Sequence, residues 1–348
     1  MMNTKEKNTI NIISLSSYTF SHFCVDFACF FFLFSWYYGK AISPEKGTIW
    51  MLIYNIIAFG LQPLLGYLLD NKNGIPLDLI GLILLIIGSL LPEVFVVAIL
   101  LMALGNACFH VAGGVACLKM SKGRIFDSGV FVSSGALGVG LGTLLGRSGN
   151  YPFFFPTILL LVCLFIQASM TTKNNINEDE IKYDLTKKEL KFEVIILITF
   201  VAIGIRAYGG SILPLNWRTS SWLFLFPSIG AFLGKFLGGY IADSLGAKET
   251  AVYSLIASAI ILTFFYHIPG LYLVGIILFN MNMSITLCLL AGLLPENPGL
   301  AFGITTLALL VGNFFTFFIV VKTASIVFIT LTLGSATCLW CILKGRKI

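Results

Sequence analysis

The ionisable residues that lie inside long apolar segments are the ones whose chemistry stands out in this sequence. Asp26 and His22 are four residues apart in the first apolar segment, so a helix would place them on one face, with Tyr18 a turn away. Arg206 lies in a later apolar segment, next but one to Tyr208. Charged groups are costly in hydrocarbon and commonly mark pathways for ions or substrates. We therefore predict that Asp26, His22 and Arg206 handle protons.

Further polar side chains recur in other apolar segments. Asn106 and His110 would share one face of a helix, and Asn280 and Ser284 would share a face of another. We expect these four residues, with the two tyrosines, to contact a substrate. The alternative for each is a structural hydrogen bond between helices or a packed histidine. Lys235 lies near the end of its segment, and we expect its ammonium group to extend to the membrane surface.

The composition of the chain identifies the solvent of these segments. Of the 348 residues, 57% are hydrophobic and 11% are charged, whereas soluble domains carry about 25% charged residues. A single soluble core stops growing near ~250–300 residues, so it could not bury this much apolar sequence. Because open sheet edges cannot be satisfied in lipid, the sequence predicts an all-α membrane protein.

Turn signals divide the apolar sequence into about twelve segments, each close to the ~20 residues that a membrane-spanning helix needs. A polar stretch, 171–191, stands out among the short loops as a linker. It would separate a first six-helix bundle, 1–170, from a second, 192–348. The segments are 11–37, 48–69, 76–91, 94–118, 128–146, 151–170, 193–213, 220–242, 250–267, 269–292, 299–321 and 323–343.

The two halves carry a weak internal repeat. Asp70 and Asp243 are 243 − 70 = 173 residues apart, which is half of the chain length. Gly129 and Gly303 are 303 − 129 = 174 residues apart, each near the start of a corresponding segment. Parallel repeats of this kind are a known plan for transporters. The sequence therefore predicts two pseudo-symmetric bundles with both aspartates on the same side of the membrane.

The basic residues predict the orientation. With the N-terminus inside, most lysines and arginines lie in inner loops, as the positive-inside rule requires. We expect both termini and the linker to be cytoplasmic, in a multi-pass protein of the plasma membrane. Only five basic residues would then lie in outer loops: Lys40, Lys46, Arg147, Arg218 and Lys322.

A short pattern follows the second segment of each half. In the second half it reads Gly-x-x-x-Asp-x-x-Gly-x-Lys, and the first half has a weaker copy. This pattern resembles the signature loop of the major facilitator superfamily, and the resemblance covers nearly the whole chain. It implies two six-helix bundles and loops that latch them together on the cytoplasmic side. The matching residues are Gly239, Asp243, Gly246 and Lys248, and in the first half Gly66, Asp70 and Gly74.

The latch has a physical basis in the position of its carboxylate. Asp243 would end a helix, where the helix dipole disfavours an anion. We therefore expect it to find a basic group or a helix N-terminus on a neighbouring helix. The alternative is a plain tight turn.

Small residues in the fifth segment resemble the antiporter signature of that superfamily, with Thr143 in the place of its proline. They also form a ridge suited to close helix packing. The stretch 105–110 is similar to a region of fosmidomycin-resistance-type exporters, while Leu101 stands near the place of an arginine common in proton antiporters. The glycines of this ridge and signature are Gly129, Gly138, Gly142 and Gly146.

These features predict a secondary transporter that moves a small molecule by alternating access. The favoured mode is proton-coupled export, with Asp26 carrying the proton and Arg206 pairing with Asp26 or with an anionic group of the substrate. Uptake by proton symport fits the same residues equally well. A membrane enzyme or a non-transporting receptor is the alternative of another class, but no hydrolase or phosphate-binding motif is present. We expect no enzyme, cofactor, metal or nucleic-acid partner, and a monomer.

Overall fold

The chain forms a bundle of helices in the computed structural model, which describes residues 4–39, 42–72, 74–150, 152–171, 181–187, 189–217, 220–319, 321 and 323–345. The described helices are α1 (Thr4–Gly39), α2 (Pro44–Gly60), α3 (Gln62–Asn71), α4 (Leu77–Ser89), α5 (Phe95–Met120), α6 (Ile125–Ser148), α7 (Phe155–Thr171), α8 (Phe192–Ser211), α9 (Ser221–Phe224), α10 (Phe226–Leu245), α11 (Ala247–Phe265), α12 (Pro269–Asn280), α13 (Met283–Leu293), α14 (Pro298–Phe314) and α15 (Ala324–Ile342), with one 3₁₀ turn, Phe315–Phe317.

This architecture confirms the predicted all-helical membrane fold. Each of the twelve predicted segments coincides with one described helix or with two consecutive helices. Nine described stretches are long and apolar enough to cross a membrane, and α4 and α7 are shorter apolar helices. The remaining segment is α10, whose apolar run is broken by Lys235 and Asp243.

Two predicted segments are interrupted. The second breaks at Leu61, between α2 and α3, because Pro63 cannot donate the backbone hydrogen bond that would continue the helix. The tenth breaks between α12 and α13 at Met281 and Asn282. A Cβ on Gly238 would collide with the backbone of Met281, so α10 packs directly on this break.

The long helices α1 and α6 pack closely and run in the same direction. A Cβ on Gly138 would lie 2.9 Å from the nitrogen of Phe27, and one on Gly142 would lie 3.0 Å from the nitrogen of Phe31. A Cβ on Gly146 would also collide with the backbone of Phe31. Small residues allow backbones to approach in this way, and dispersion contacts then hold helices together in lipid.

Residues 181–187 pack against one end of the bundle, which we call the linker end. Tyr183 and Ser121 share a hydrogen bond of 2.5 Å between their hydroxyl oxygens, and burial raises the pKa of the Tyr183 phenol. Thr186 forms an isolated antiparallel bridge with Leu343, just after α15. The segment therefore ties the α5–α6 turn to the end of α15. Residues 172–180 and 188 of the predicted linker lie outside the described residues.

Candidate functional site

A central cavity of about 600 Å³ lies between helices of the first and second halves of the chain. Its walls combine apolar side chains with a small set of polar and charged groups, as in most small-molecule sites. Groups from α1 and α5 line one part of the cavity, and groups from α8, α10 and α12 line another. The ionisable and amide side chains named below that line it are His22, Asp26, His110, Arg206, Lys235 and Asn280.

Two histidines and one aspartate meet at this cavity. His22 Nε2 lies 3.3 Å from Asp26 Oδ2, and His110 Nε2 lies 3.4 Å from Asp26 Oδ1. The two Nε2 atoms are 3.0 Å apart. All three side chains are more than nine-tenths buried. The helical spacing of α1 brings His22 onto the face of Asp26, and α5 supplies His110 from across the helix interface.

The outer ring nitrogens determine where protons lie in this cluster. His22 Nδ1 is 2.8 Å from the carbonyl oxygen of Phe131, and His110 Nδ1 is 2.9 Å from the carbonyl oxygen of Asn106. Since a carbonyl oxygen only accepts, each Nδ1 carries hydrogen and donates. Two neutral rings would then point bare Nε2 lone pairs at each other across 3.0 Å. One additional proton, shared among the two Nε2 atoms and the carboxylate, relieves this repulsion.

Asn106 orients the carboxylate of Asp26 from behind. Its Nδ2 donates to Asp26 Oδ1 at 3.3 Å and contacts Cys29 Sγ at 3.6 Å. Asn106 is 1% exposed and does not line the cavity. A Cβ on Gly135 would lie 2.8 Å from His22 Cε1, so α6 closes the site from the other side. The cluster therefore has little room to rearrange.

The same three side chains form the described cluster that could hold a metal ion, with ligand atoms within 4.8 Å of one another. A tetrahedral ion with nitrogen bonds of about 2.0–2.1 Å would hold the two nitrogens roughly 3.3–3.4 Å apart. The 3.0 Å separation between the Nε2 atoms is closer to that of a direct hydrogen bond. The geometry therefore fits a shared proton better than a tetrahedral ion.

Two cations line the cavity near this cluster. Arg206 is 3% exposed, and its Nη2 contacts only the sulfur of Met283, at 2.7 Å, among the described residues. Lys235 interacts electrostatically with both Asp26 and Arg206 but forms no ion pair in the described part of the chain. The expected extension of Lys235 to the membrane surface is wrong, because the side chain turns inward to the cavity.

The remaining predicted substrate residues differ in their placement. Asn280 lines the cavity and donates to the carbonyl oxygen of Ile276 at 2.9 Å. Ser284 is buried outside it, and its hydroxyl has no hydrogen-bond partner among the described residues. Tyr208 is half-buried and does not line the cavity. Of the predicted substrate residues, only His110 and Asn280 reach the cavity.

Tyr18 is engaged elsewhere. Its hydroxyl donates to Asp78 Oδ2 at 2.8 Å, and Asp78 Oδ1 accepts from the backbone nitrogen of Leu79 at 2.9 Å. Asp78 is buried in the first turn of α4, and sequence reasoning missed it. The signal was available, since the acid follows Pro76 at the start of an apolar segment. The pair ties α1 to α4 away from the cavity.

The signature aspartates form two reciprocal contacts at the linker end. Asp243, near the end of α10, accepts from the backbone nitrogens of Ile125 and Phe126 at 2.9 Å each. Asp70, near the end of α3, accepts from those of Gly299 and Leu300, also at 2.9 Å. Each carboxylate thus caps the first turn of a helix in the other half, where the helix dipole favours an anion.

The signature glycines serve these contacts. A Cβ on Gly239 would lie 2.9 Å from the carbonyl oxygen of Ile125, and a Cβ on Gly66 would lie 2.9 Å from the nitrogen of Leu300. Gly246 has φ +111°, which suits glycine at the turn after α10. Gly74 has φ +86° after α3. Lys248 lies over the ring of Trp340, 4.7 Å from its centroid.

The cavity is accessible from the end opposite the linker. A second cavity of about 620 Å³, lined by the ends of α6 and α8 and the start of α10, shares four wall residues with the central one. Arg147 lines this outer cavity and lies over the ring of Phe224, 5.2 Å from its centroid. At the linker end, Phe302 packs against Gly114 and Phe131 below the aspartate contacts. The bundle is therefore closed at the linker end.

The fold, the cavity and the two signature loops together define a transporter of the secondary type. The family model described as Major Facilitator Superfamily matches residues 18–317, and the chain belongs to that family. Enzymatic activity is not expected of this family, in agreement with the sequence prediction. Among curated protein sequences, none matches this chain.

Solved structures share the fold at low sequence identity. FucP, a Major Facilitator Superfamily transporter in the outward conformation, has a TM-score of 0.67 and 13% identity, over 95% of this chain and 97% of its own. The E. coli fucose:proton symporter FucP has 0.69 and 12%, over 94% and 98%. The human organic anion transporter MFSD10 (TETRAN) has 0.69 and 12%, over 95% and 99%. At these identities the likeness carries the fold alone.

Proposed function

We propose that this secondary transporter is proton-coupled, and that the His22–Asp26–His110 cluster holds the coupling proton. The observation that carries the proposal is the 3.0 Å contact between the two Nε2 atoms beside the Asp26 carboxylate. This arrangement needs one proton to be favourable and faces the cavity that would bind substrate. A group that binds a proton on one side of the membrane and releases it on the other couples transport to the proton gradient.

The cluster changes two of the roles expected from the sequence. Asp26 is the anion that stabilises the proton, and the two rings share the work of carrying it. His110 joins the proton site instead of the substrate site. Arg206 does not pair with Asp26 in this conformation; both line the cavity, and the carboxylate is engaged by the histidines.

Two halves related by pseudo-symmetry would supply the alternating access. The reciprocal contacts of Asp70 and Asp243 support this division, since each joins residues that are corresponding by the repeat: 299 − 125 = 174 and 243 − 70 = 173. Breaking both contacts would open the linker end to the cavity. With the linker end at the cytoplasm of a cell membrane, the present conformation would face outward.

The glycines of α6 do not fix the direction of transport. Gly138, Gly142 and Gly146 pack on the backbone of α1, and Gly129 packs on α10, 2.7 Å from the carbonyl oxygen of Lys235 for an added Cβ. Helix packing accounts for these glycines without export, so export by proton exchange has only the sequence resemblance in its support. Cotransport with protons is favoured by the charge of the cavity, as argued below.

The test is substrate-dependent proton movement in liposomes. Purified protein is reconstituted with a pH-sensitive dye inside, and a panel of small organic anions, cations and neutral compounds is added outside. We expect at least one compound to change the internal pH with the wild-type protein and not with Asp26→Asn. A compound that accumulates without any proton movement, in wild type and variant alike, would refute proton coupling.

A further inference from the structure

The two connected cavities carry more positive than negative charge. Among the described residues that line them, Asp26 is the sole carboxylate, while Arg147, Arg206 and Lys235 are basic. Arg206 is almost fully buried, and its only hydrogen-bond partner is the thioether of Met283. A buried cation without a counter-ion is costly. The missing negative charge is therefore expected to come from a ligand.

We propose that the central cavity binds an organic anion between Arg206 and Lys235, and that the proton on the His22–His110 pair strengthens its binding. The anion site stands on the two cations and their lack of partners. Its coupling to the proton rests on the function proposed above. Together they make this chain a proton–anion cotransporter.

The chemistry of the cavity defines the class of anion. The guanidinium of Arg206 is a planar fork that can donate two parallel hydrogen bonds to a carboxylate or a similar oxyanion. Lys235 adds a point charge from α10, on the neighbouring part of the wall. Much of the remaining wall is apolar and includes Phe30, Val132 and Phe279. A compact molecule with one anionic group and an apolar body fits these surfaces.

The coupling follows from the charges around the histidine pair. Without the shared proton, the Asp26 carboxylate offsets one of the two cations. With it, the cluster is neutral overall, and both cations attract the anion. Binding of the anion must then strengthen binding of the proton by the same factor. The titratable or charged groups that surround the pair are Asp26 and Tyr18 on α1, Asp78 on α4 through Tyr18, Arg206 on α8 and Lys235 on α10.

This sign of coupling distinguishes cotransport from exchange. In an exchanger, proton and substrate compete, so loading one must weaken binding of the other. Here the proton adds positive charge to a cavity that already lacks negative charge. The uncharged groups facing the pair do not alter this balance, since α6 contributes the Ser134 hydroxyl and the Phe131 carbonyl.

Thermal melting of the purified full chain tests the proposal, because a ligand stabilises the state that it binds. The probes are benzoate and its neutral amide, benzamide, over a pH range from about 8 down to about 6, where benzoate stays ionised and histidines titrate. We expect benzoate to raise the melting temperature and benzamide to have no effect. The apparent affinity for benzoate should rise about 5-fold or more as pH falls.

Matched variants locate the effect. Arg206→Gln should abolish stabilisation by benzoate, while Arg206→Lys should retain part of it. Lys191→Gln, at the exposed start of α8, should behave like wild type. His22→Gln should still bind benzoate but lose the pH dependence.

The outcomes separate the two proposals. Equal effects of benzoate and benzamide, no effect of benzoate at any pH, or full stabilisation of Arg206→Gln would each overturn the anion site and leave proton coupling standing. Benzoate binding that weakens or stays constant as pH falls would overturn cotransport. Constant binding combined with no substrate-driven proton movement in liposomes would overturn the proton site as well.

Discussion

The Nε2 atoms of His22 and His110 lie 3.0 Å apart, although the two residues are 88 positions apart in the chain. Both rings are anchored on their outer nitrogens by backbone carbonyls. The proton that the contact requires is therefore tied to the positions of α1, α5 and α6 together. Any movement between these helices changes how well the proton is held, which links helix motion to proton release.

Replacing either histidine of the pair should abolish transport driven by a pH gradient. His22→Gln and His110→Gln keep a hydrogen-bonding side chain but remove the second ring nitrogen that shares the proton. Proton-driven uptake into liposomes measures the loss, and exchange of labelled substrate without a gradient should persist. His267→Gln is the matched control, because His267 is exposed and remote from the cavity. Unchanged pH dependence in both variants would contradict the shared-proton site.

Tyr18→Phe should lower stability without altering the pH dependence of transport. The variant removes the hydrogen bond to the buried carboxylate of Asp78, at a cost of about 1–3 kcal/mol. Thermal melting in detergent measures this loss. Tyr208→Phe should change stability by no more than about 0.5 kcal/mol, since Tyr208 makes no described hydrogen bond. A changed pH profile for Tyr18→Phe would return Tyr18 to the transport site.

Gly142→Leu should block transport while the protein still inserts into the membrane. A side chain at this position would drive α6 away from the backbone of Phe27 and Phe31 on α1. Uptake assays and surface quantification measure the two effects separately. Gly270→Leu is the control, because nothing lies within 4 Å of a Cβ there. Full activity of Gly142→Leu would show that α1 and α6 need not stay in contact.

Asp70→Asn and Asp243→Asn should each shift the population toward conformations open at the linker end. Each variant removes a charge that caps a helix N-terminus and is expected to weaken closure by roughly 1–2 kcal/mol. Spin-label distances between Lys122→Cys and Ser244→Cys would lengthen in Asp243→Asn. Asp184→Asn, which breaks an exposed pair with Lys344, should have little effect. Identical distance distributions in all variants would exclude a latch role.

The sequence predicts the fold because its strongest signals are long and repeated. Apolar segments separated by turn residues give the helices, and paired signature loops give the family. Chain breaks inside segments are harder to see: Pro63 marks the one before α3, whereas the break at Met281 depends on packing against Gly238. Such breaks depend on a partner helix that no local window of sequence contains.

The candidate site is predictable only in part. The spacing of His22 and Asp26 shows that they share a face, but it does not show that His110 completes the cluster from another helix. Side-chain direction is equally hidden: Tyr18 points to Asp78 instead of substrate, and Lys235 points into the cavity. Long side chains can turn either way from one backbone position, and the tertiary surroundings decide between them.

The reciprocal caps at the linker end also constrain the order in which the chain can be assembled. Asp70 and its partner Gly299 are 229 residues apart, so the aspartate emerges from the ribosome long before the nitrogens that it caps. Asp243 likewise reaches Ile125 only after 118 further residues. Until α14 has been made, the first-half carboxylate stays solvated or borrowed by other donors. Closure of this end is thus a late event of biogenesis, and a nascent chain halted before α14 would expose an uncapped helix and an unsealed interior to quality control.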